Sequence, residues 1–149
     1  MSRNIIYNHF VFTPKSRRAV INPETEKTLF AYIVGISSNL RCPVVRINAA
    51  LNHLHLLVRM APSVAPSDYI AMVKRASSIF IKQNNLFPGF DGWSKEYSVH
   101  SVSPGGVDAV RDYIANQKEH HKLVSFEDEW LSSLTEEERK MWNMAFFDR

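Results

Sequence analysis

Two histidines one residue apart, His53 and His55 in "LNHLHLLVRM", carry the strongest chemical suggestion in this chain. On a strand successive side chains alternate faces, so both imidazoles point the same way about 6.6 Å apart while Leu54 faces the other side. Two imidazoles on one face can converge on one metal ion. Such a pair also arises by chance as satisfied core groups, so it needs a third partner. The segment "VDAVRDYIANQKEHHK" offers candidates, because Tyr113 and Gln117 are four residues apart and so sit one turn above each other on one face of a helix. A tyrosine at that spacing is usually core packing. Here Val107, Val110 and Ile114 already form the apolar seam, which leaves Tyr113 and Gln117 at its edge, where a site would be built.

The elements that must position these residues follow from periodicity. "IIYNHFVFTP" has the Ile, Tyr, Phe and Val of a strand and ends at a proline. "NPETEKTLFAYIVGISSNL" opens a helix with Asn22 as cap, Pro23 at the first helical position and acidic residues in the first turn. "PVVRINAAL" and "HLHLLVRM" are adjacent strands split at Asn52, and a second helix starts at about Ser67, a cap just after Pro66. After the loop "NNLFPGFDG" the segment "WSKEYSVHSVS" is a strand, and beyond "PGG" a third helix begins. The order strand, helix, strand, strand, helix, strand predicts an α+β, ferredoxin-like split βαβ sandwich: an antiparallel sheet with both helices on one face. An appended third helix and a short helical tail complete it.

A chain of 149 residues is one ordinary domain, with a core over residues 1–124 and a tail over 125–149. The core carries 15 Lys and Arg against 8 Asp and Glu, the tail 3 against 7, so a basic body is followed by an acidic end. No acidic residue precedes Glu24, and Lys15, Arg17 and Arg18 crowd together in "TPKSRRAVI", which suits a polyanion such as nucleic acid or, more blandly, a solvated loop. No apolar run approaches the roughly 18 to 20 residues of a membrane span. Cys42 is the single cysteine and the N-terminus lacks signal-peptide features, so a cytoplasmic location is expected.

Taken together, these segments resemble the small single-tyrosine HUH transposases, which cut and rejoin single-stranded DNA. The family includes the REP-associated tyrosine transposases, the domesticated kind that acts on repeated palindromes. The family's histidine, bulky hydrophobe, histidine motif stands here as His53, Leu54 and His55, and its tyrosine followed four residues later by glutamine stands as Tyr113 and Gln117 in "YIANQ". "YNHFVFTPKSRRAVI", "MVKRASSIFI" and "WSKEYSVHSVS" are also similar to family stretches, so the likeness covers about residues 5 to 122. Many members carry an aspartate before the first histidine; Asn52 keeps the hydrogen bonding there without the charge. The resemblance implies a metal-dependent endonuclease and transposase with Tyr113 as nucleophile and a divalent ion, Mg²⁺ or Mn²⁺, held by His53, His55 and Gln117. It implies a 5′-phosphotyrosine and a free 3′-hydroxyl, hairpin-containing single-stranded DNA as substrate, a homodimer and no nucleotide cofactor. A phenol titrates near 10, so only about one in a thousand is ionised at neutral pH and Tyr113 would need activation.

Lys15, Arg17, Arg18, Lys74 and Arg75 are the candidate phosphate contacts, with Trp93 or Tyr97 as stacking platforms for unpaired bases. His120 and His121 suit a helix C-terminus, His100 is read as structural, and His9 is a weak site candidate. Two rivals fit less well. A ferredoxin-like RNA-binding module puts aromatics on its central strands, and "HLHLLVRM" has none. A two-histidine phosphoesterase needs Ser or Thr two residues after each histidine, and here His55 and Val102 stand there. A descendant that binds hairpins without cutting them is the main alternative. The acidic tail, with Trp130, Trp142, Phe146 and Phe147, is read as packing over the third helix or shielding the site.

Overall fold

The structure, a computed structural model, describes residues 2–120. The expected acidic helical tail and His121 lie outside the described residues. Strands β1 (Tyr7–Phe12), β2 (Val44–Ala50), β3 (His53–Arg59) and β4 (Ser98–Val102) form one antiparallel sheet in the order β2-β3-β1-β4. Helices α1 (Glu26–Asn39) and α2 (Pro66–Gln83) connect them, and α3 (Val107–Ala115) and α4 (Gln117–His120) follow. The expected split βαβ sandwich is the fold.

Residue parity explains the layers. Phe10 and Phe12 of β1, Ala49 of β2 and Leu54, Leu56 and Val58 of β3 share one face, where they pack with Leu29 and Ile33 of α1 and Tyr69, Ile70, Val73 and Ile81 of α2. Ser37 and Tyr69 hydrogen-bond across these two helices, and burial pushes the phenol above its ordinary range, so it stays a neutral hydroxyl. The opposite face holds His9, Val11, His53, His55 and Leu57. Val11, Leu57 and Ile114 of α3 are buried but stand outside the main core, and α3 and α4 pack against β2. β3 is therefore central and covered on both faces, which is why six of its seven residues are buried. The site histidines alternate with core leucines in a strand that has no solvated side.

Several boundaries differ from those expected. Asn22 does not cap α1: its Oδ1 accepts from the Glu24 N–H and its carbonyl from the Thr25 N–H, so residues 22–25 form a turn and the helix starts at Glu26. Ser67 does not cap α2. Pro66 itself opens that helix, and the residue before a proline is held extended, as Ala65 is. The strand expected over 93–103 shrinks to Ser98–Val102, with Trp93 bridging Pro14 alone. Pro14 has no N–H to continue a ladder, and the Lys95 carbonyl accepts from Lys74 Nζ. The single third helix is broken at Asn116, where the carbonyls of Ile114 and Ala115 accept from Asn48 Nδ2 at 2.9 and 3.3 Å.

Candidate active site

β3 places His53 and His55 side by side on the face away from α1 and α2, with ring centroids 5.0 Å apart and planes at 73°. Both are buried, His53 completely. Helix α3 brings Tyr113 of the same chain edge-on to His55, with centroids 5.8 Å apart. Gln117, expected at a helix edge, is fully buried as the first residue of α4; its Nε2 donates to the Tyr113 carbonyl at 3.4 Å. The break at Asn116 thus keeps Gln117 one turn from Tyr113 while turning it inward.

Each histidine has a neighbour at Nδ1. Asn52 Oδ1 lies 2.9 Å from His53 Nδ1, and an amide oxygen can only accept, so Nδ1 carries the hydrogen and the neutral ring keeps its lone pair on Nε2. His9 Nε2 lies 2.9 Å from His55 Nδ1, with ring centroids 5.1 Å apart and planes 27° from parallel, so the two rings meet edge to edge. His9, weakly marked by the sequence, thus belongs to this cluster. The signal that could have singled it out is strand parity, since His9 and Val11 share a face and Val11 pairs with His55. His100, its cross-strand partner on β4, is exposed and bonds Ser98.

Whether a divalent ion fits can be judged from the donors. Among the described residues no group of three His, Cys, Asp or Glu side chains is set to hold a metal, so a site here depends on an amide oxygen as third donor. Gln117 Oε1 is the candidate for such a donor: it is buried and has no hydrogen-bond partner among the described residues. A buried carbonyl oxygen left so is costly, and a cation would relieve it. Two imidazole nitrogens and an amide oxygen suit magnesium or manganese, the second better matched to imidazole. The residues fit the group.

The cluster is held in place by a network that the sequence did not reveal. Lys118 of α4 donates to Asn48 Oδ1 at 2.9 Å and to the Ala49 carbonyl at 3.1 Å, and pairs with buried Glu26 of α1 at 2.7 Å. Asn48 meanwhile bonds the end of α3. Strand β2 and helix α1 are thereby tied to the joint between Tyr113 and Gln117.

The expected nucleic-acid contacts divide into two groups. Lys15, Lys74, Arg75 and Trp93 line one pocket of about 410 Å³ on the α2 side, together with Lys82 and Lys95. Burial pushes the Lys74 ammonium below the ordinary lysine range, with Glu96 pulling the other way. Trp93 is not a free platform: its indole is 6% exposed, packs edge-on against Phe12 and Phe90, and donates to Ser77 Oγ. Tyr97, half-buried beneath Lys74 Nζ at 5.7 Å, is the more open aromatic of that pocket. Arg17 and Arg18 do not line it; Arg18 instead bonds the Gly89 carbonyl. Among the described residues no helix is long and apolar enough to cross a membrane.

Comparison with known proteins bears on the family and the fold. The transposases for insertion sequence element IS200 of Salmonella typhimurium and Salmonella typhi are each 22% identical over 120 residues, spanning 77% of this chain and 78% of theirs. A candidate transposase of Deinococcus radiodurans superposes with a TM-score of 0.62 at 21% identity, covering 78% of this chain and 93% of that one. A REP-associated tyrosine transposase bound to a REP hairpin also gives 0.62, at 14% identity, covering 83% and 74%. Both structural likenesses show a common fold. A family model described as "Transposase IS200 like" matches residues 2–117, and the chain belongs to that family of transposases.

Proposed function

We propose that this protein cleaves and rejoins single-stranded DNA carrying a hairpin, with Tyr113 as nucleophile. The observation that carries the reading is the grouping of His53, His55 and Tyr113 on one covered sheet face, with the buried carboxamide of Gln117 one turn away. Membership of the transposase family supports strand cleavage as the activity, and the hairpin-bound relative supports the form of the DNA.

The Tyr113 hydroxyl gives up its proton and its oxygen attacks the phosphorus of one phosphodiester. The new bond is a 5′-phosphotyrosine, the bond to the 3′-oxygen breaks, and that oxygen leaves as a 3′-hydroxyl. Bond energy is conserved, so the reverse attack by a 3′-hydroxyl rejoins a strand without a nucleotide cofactor. His53, His55 and Gln117 would hold a divalent ion, Mg²⁺ or Mn²⁺, whose role when bound is to neutralise charge on the scissile phosphate. Asn52 orients His53, and α3 holds the tyrosine ring at a fixed distance from His55, which limits the freedom lost on reaching the attacking geometry. Lys15, Lys74 and Arg75 supply cations for the backbone, and Arg17 and Arg18 extend the basic segment. A homodimer and a cytoplasmic location accord with this reading.

The test incubates the protein and Mn²⁺ with labelled single-stranded hairpin DNA and looks for a covalent adduct on a denaturing gel. Wild type forms the adduct and Tyr113→Phe does not. Adduct formation by the Phe variant would overturn the nucleophile, and tight hairpin binding without any adduct would favour a binding protein that does not cut.

A further inference from the structure

Two adjacent imidazoles in one strand are each met at Nδ1 by a neighbouring side chain at 2.9 Å: His53 by Asn52 Oδ1, His55 by His9 Nε2. The first contact has only one sense, because an amide oxygen cannot donate. The second has two. Either His9 donates from Nε2, which puts the hydrogen of neutral His55 on its Nε2, or His55 donates from Nδ1, which keeps the Nε2 lone pair for a cation. A histidine that binds a metal through one nitrogen depends on the partner of the other nitrogen to fix its tautomer and ring orientation.

We propose that His9 is a positioning residue for His55, accepting the hydrogen of His55 Nδ1 at its own Nε2 and so presenting His55 Nε2 as the donor to a divalent cation. The inference rests on the cation reading given above. Three features of the fold favour it. β1 and β3 are paired through Val11 and His55, so the sheet ladder itself fixes the spacing of the two rings. The planes of the two rings lie only 27° apart with centroids 5.1 Å apart, the near-coplanar edge-to-edge geometry of a ring-to-ring hydrogen bond, and the Tyr113 ring packs at 84° to His55 on its other contact. Asn52 performs the same service for His53, so both imidazoles would offer the same nitrogen. Neither His9 nor Asn52 would touch the cation.

The test compares wild type, His9→Ala, His9→Gln and a His53→Ala, His55→Ala double variant. Glutamine can place an amide oxygen near the position of His9 Nε2 and serves as the conservative rescue. Mn²⁺ affinity measured by calorimetry without DNA is expected to fall about 10- to 100-fold in His9→Ala and to recover most of that in His9→Gln. Long-range proton–nitrogen NMR correlation should show the hydrogen of His55 on Nδ1 in wild type, with and without Mg²⁺. Hairpin binding in a chelator should be unchanged in both His9 variants, and cleavage by His9→Ala should return at high Mn²⁺. Equal Mn²⁺ affinity of wild type and His9→Ala, or a hydrogen on His55 Nε2, would overturn the positioning role alone. Should wild type bind Mn²⁺ no better than the double variant, the cation reading fails and this inference falls with it.

Discussion

The residue with the largest leverage outside the proposed ligands is Asn52, because it decides which nitrogen of a completely buried ring has a lone pair to offer. Asn52→Ala removes the acceptor and leaves His53 without that contact, so Mn²⁺ affinity is expected to drop about 10- to 100-fold. Asn52→Asp keeps the acceptor and adds charge next to a proposed cation site, so affinity should rise above wild type. Calorimetric titration with Mn²⁺ separates the two, and an Ala variant that binds like wild type would remove Asn52 from the site. At this scale much was legible. The motif residues His53, His55, Tyr113 and Gln117 could be picked out because alternation and helical spacing are local rules, and because they match a family pattern. His9 was harder, since its meaning comes from the pairing of β1 with β3 across 46 positions, a distance at which no local rule operates.

Elements carry the next level of control, and the joint between α3 and α4 is its focus. Asn48 satisfies the last carbonyls of α3 with its Nδ2, while its Oδ1 accepts from Lys118 and from the Ala49 N–H. Asn48→Ala would leave several polar groups at this joint, including the N–H of fully buried Ala49, without these partners. A loss of about 1–3 kcal/mol in folding stability is expected, read by urea denaturation. Because the joint sets where Tyr113 and Gln117 sit, cleavage should fall further than hairpin affinity does. An equal fall in both would point to loss of folded protein rather than of geometry. The sheet order and both connecting helices followed from sequence because hydrophobic period and turn residues point the same way over whole segments. The break at Asn116 did not, because "YIANQKEH" reads as continuous helix and the groups that interrupt it come from Asn48 on another strand. The shortened β4 escaped for a similar reason: Lys74, on α2, takes a carbonyl that the segment 94–97 would have used for pairing.

For the whole molecule, the layers separate chemistry from charge. The histidine cluster occupies the sheet face under α3 and α4, whereas the pocket with Lys15, Lys74, Arg75, Lys82 and Lys95 lies on the α2 side. The overall basicity of residues 1–124 was visible in composition, but the gathering of distant lysines into one pocket requires the fold. If DNA phosphates occupy that pocket, replacing Lys74 and Arg75 by alanine should flatten the salt dependence of hairpin binding by about 0.7 per lost contact, while leaving the adduct chemistry at saturating DNA intact. Lys74 adds a pH signature. Its pKa in the fold lies below the ordinary lysine range, chiefly through burial and against the pull of Glu96, so between the two values the unfolded chain binds more protons. Stability therefore rises with pH across that alkaline window, as the half-buried ammonium loses a charge that its partial burial disfavours. Hairpin affinity should move the opposite way over the same window, because the pocket loses a cation that meets phosphate. Lys74→Arg holds its charge throughout and should flatten both trends. Melting temperature and hairpin binding measured in parallel from neutral pH upward test the pair, and an affinity falling just as steeply in Lys74→Arg would place the responsible titration elsewhere.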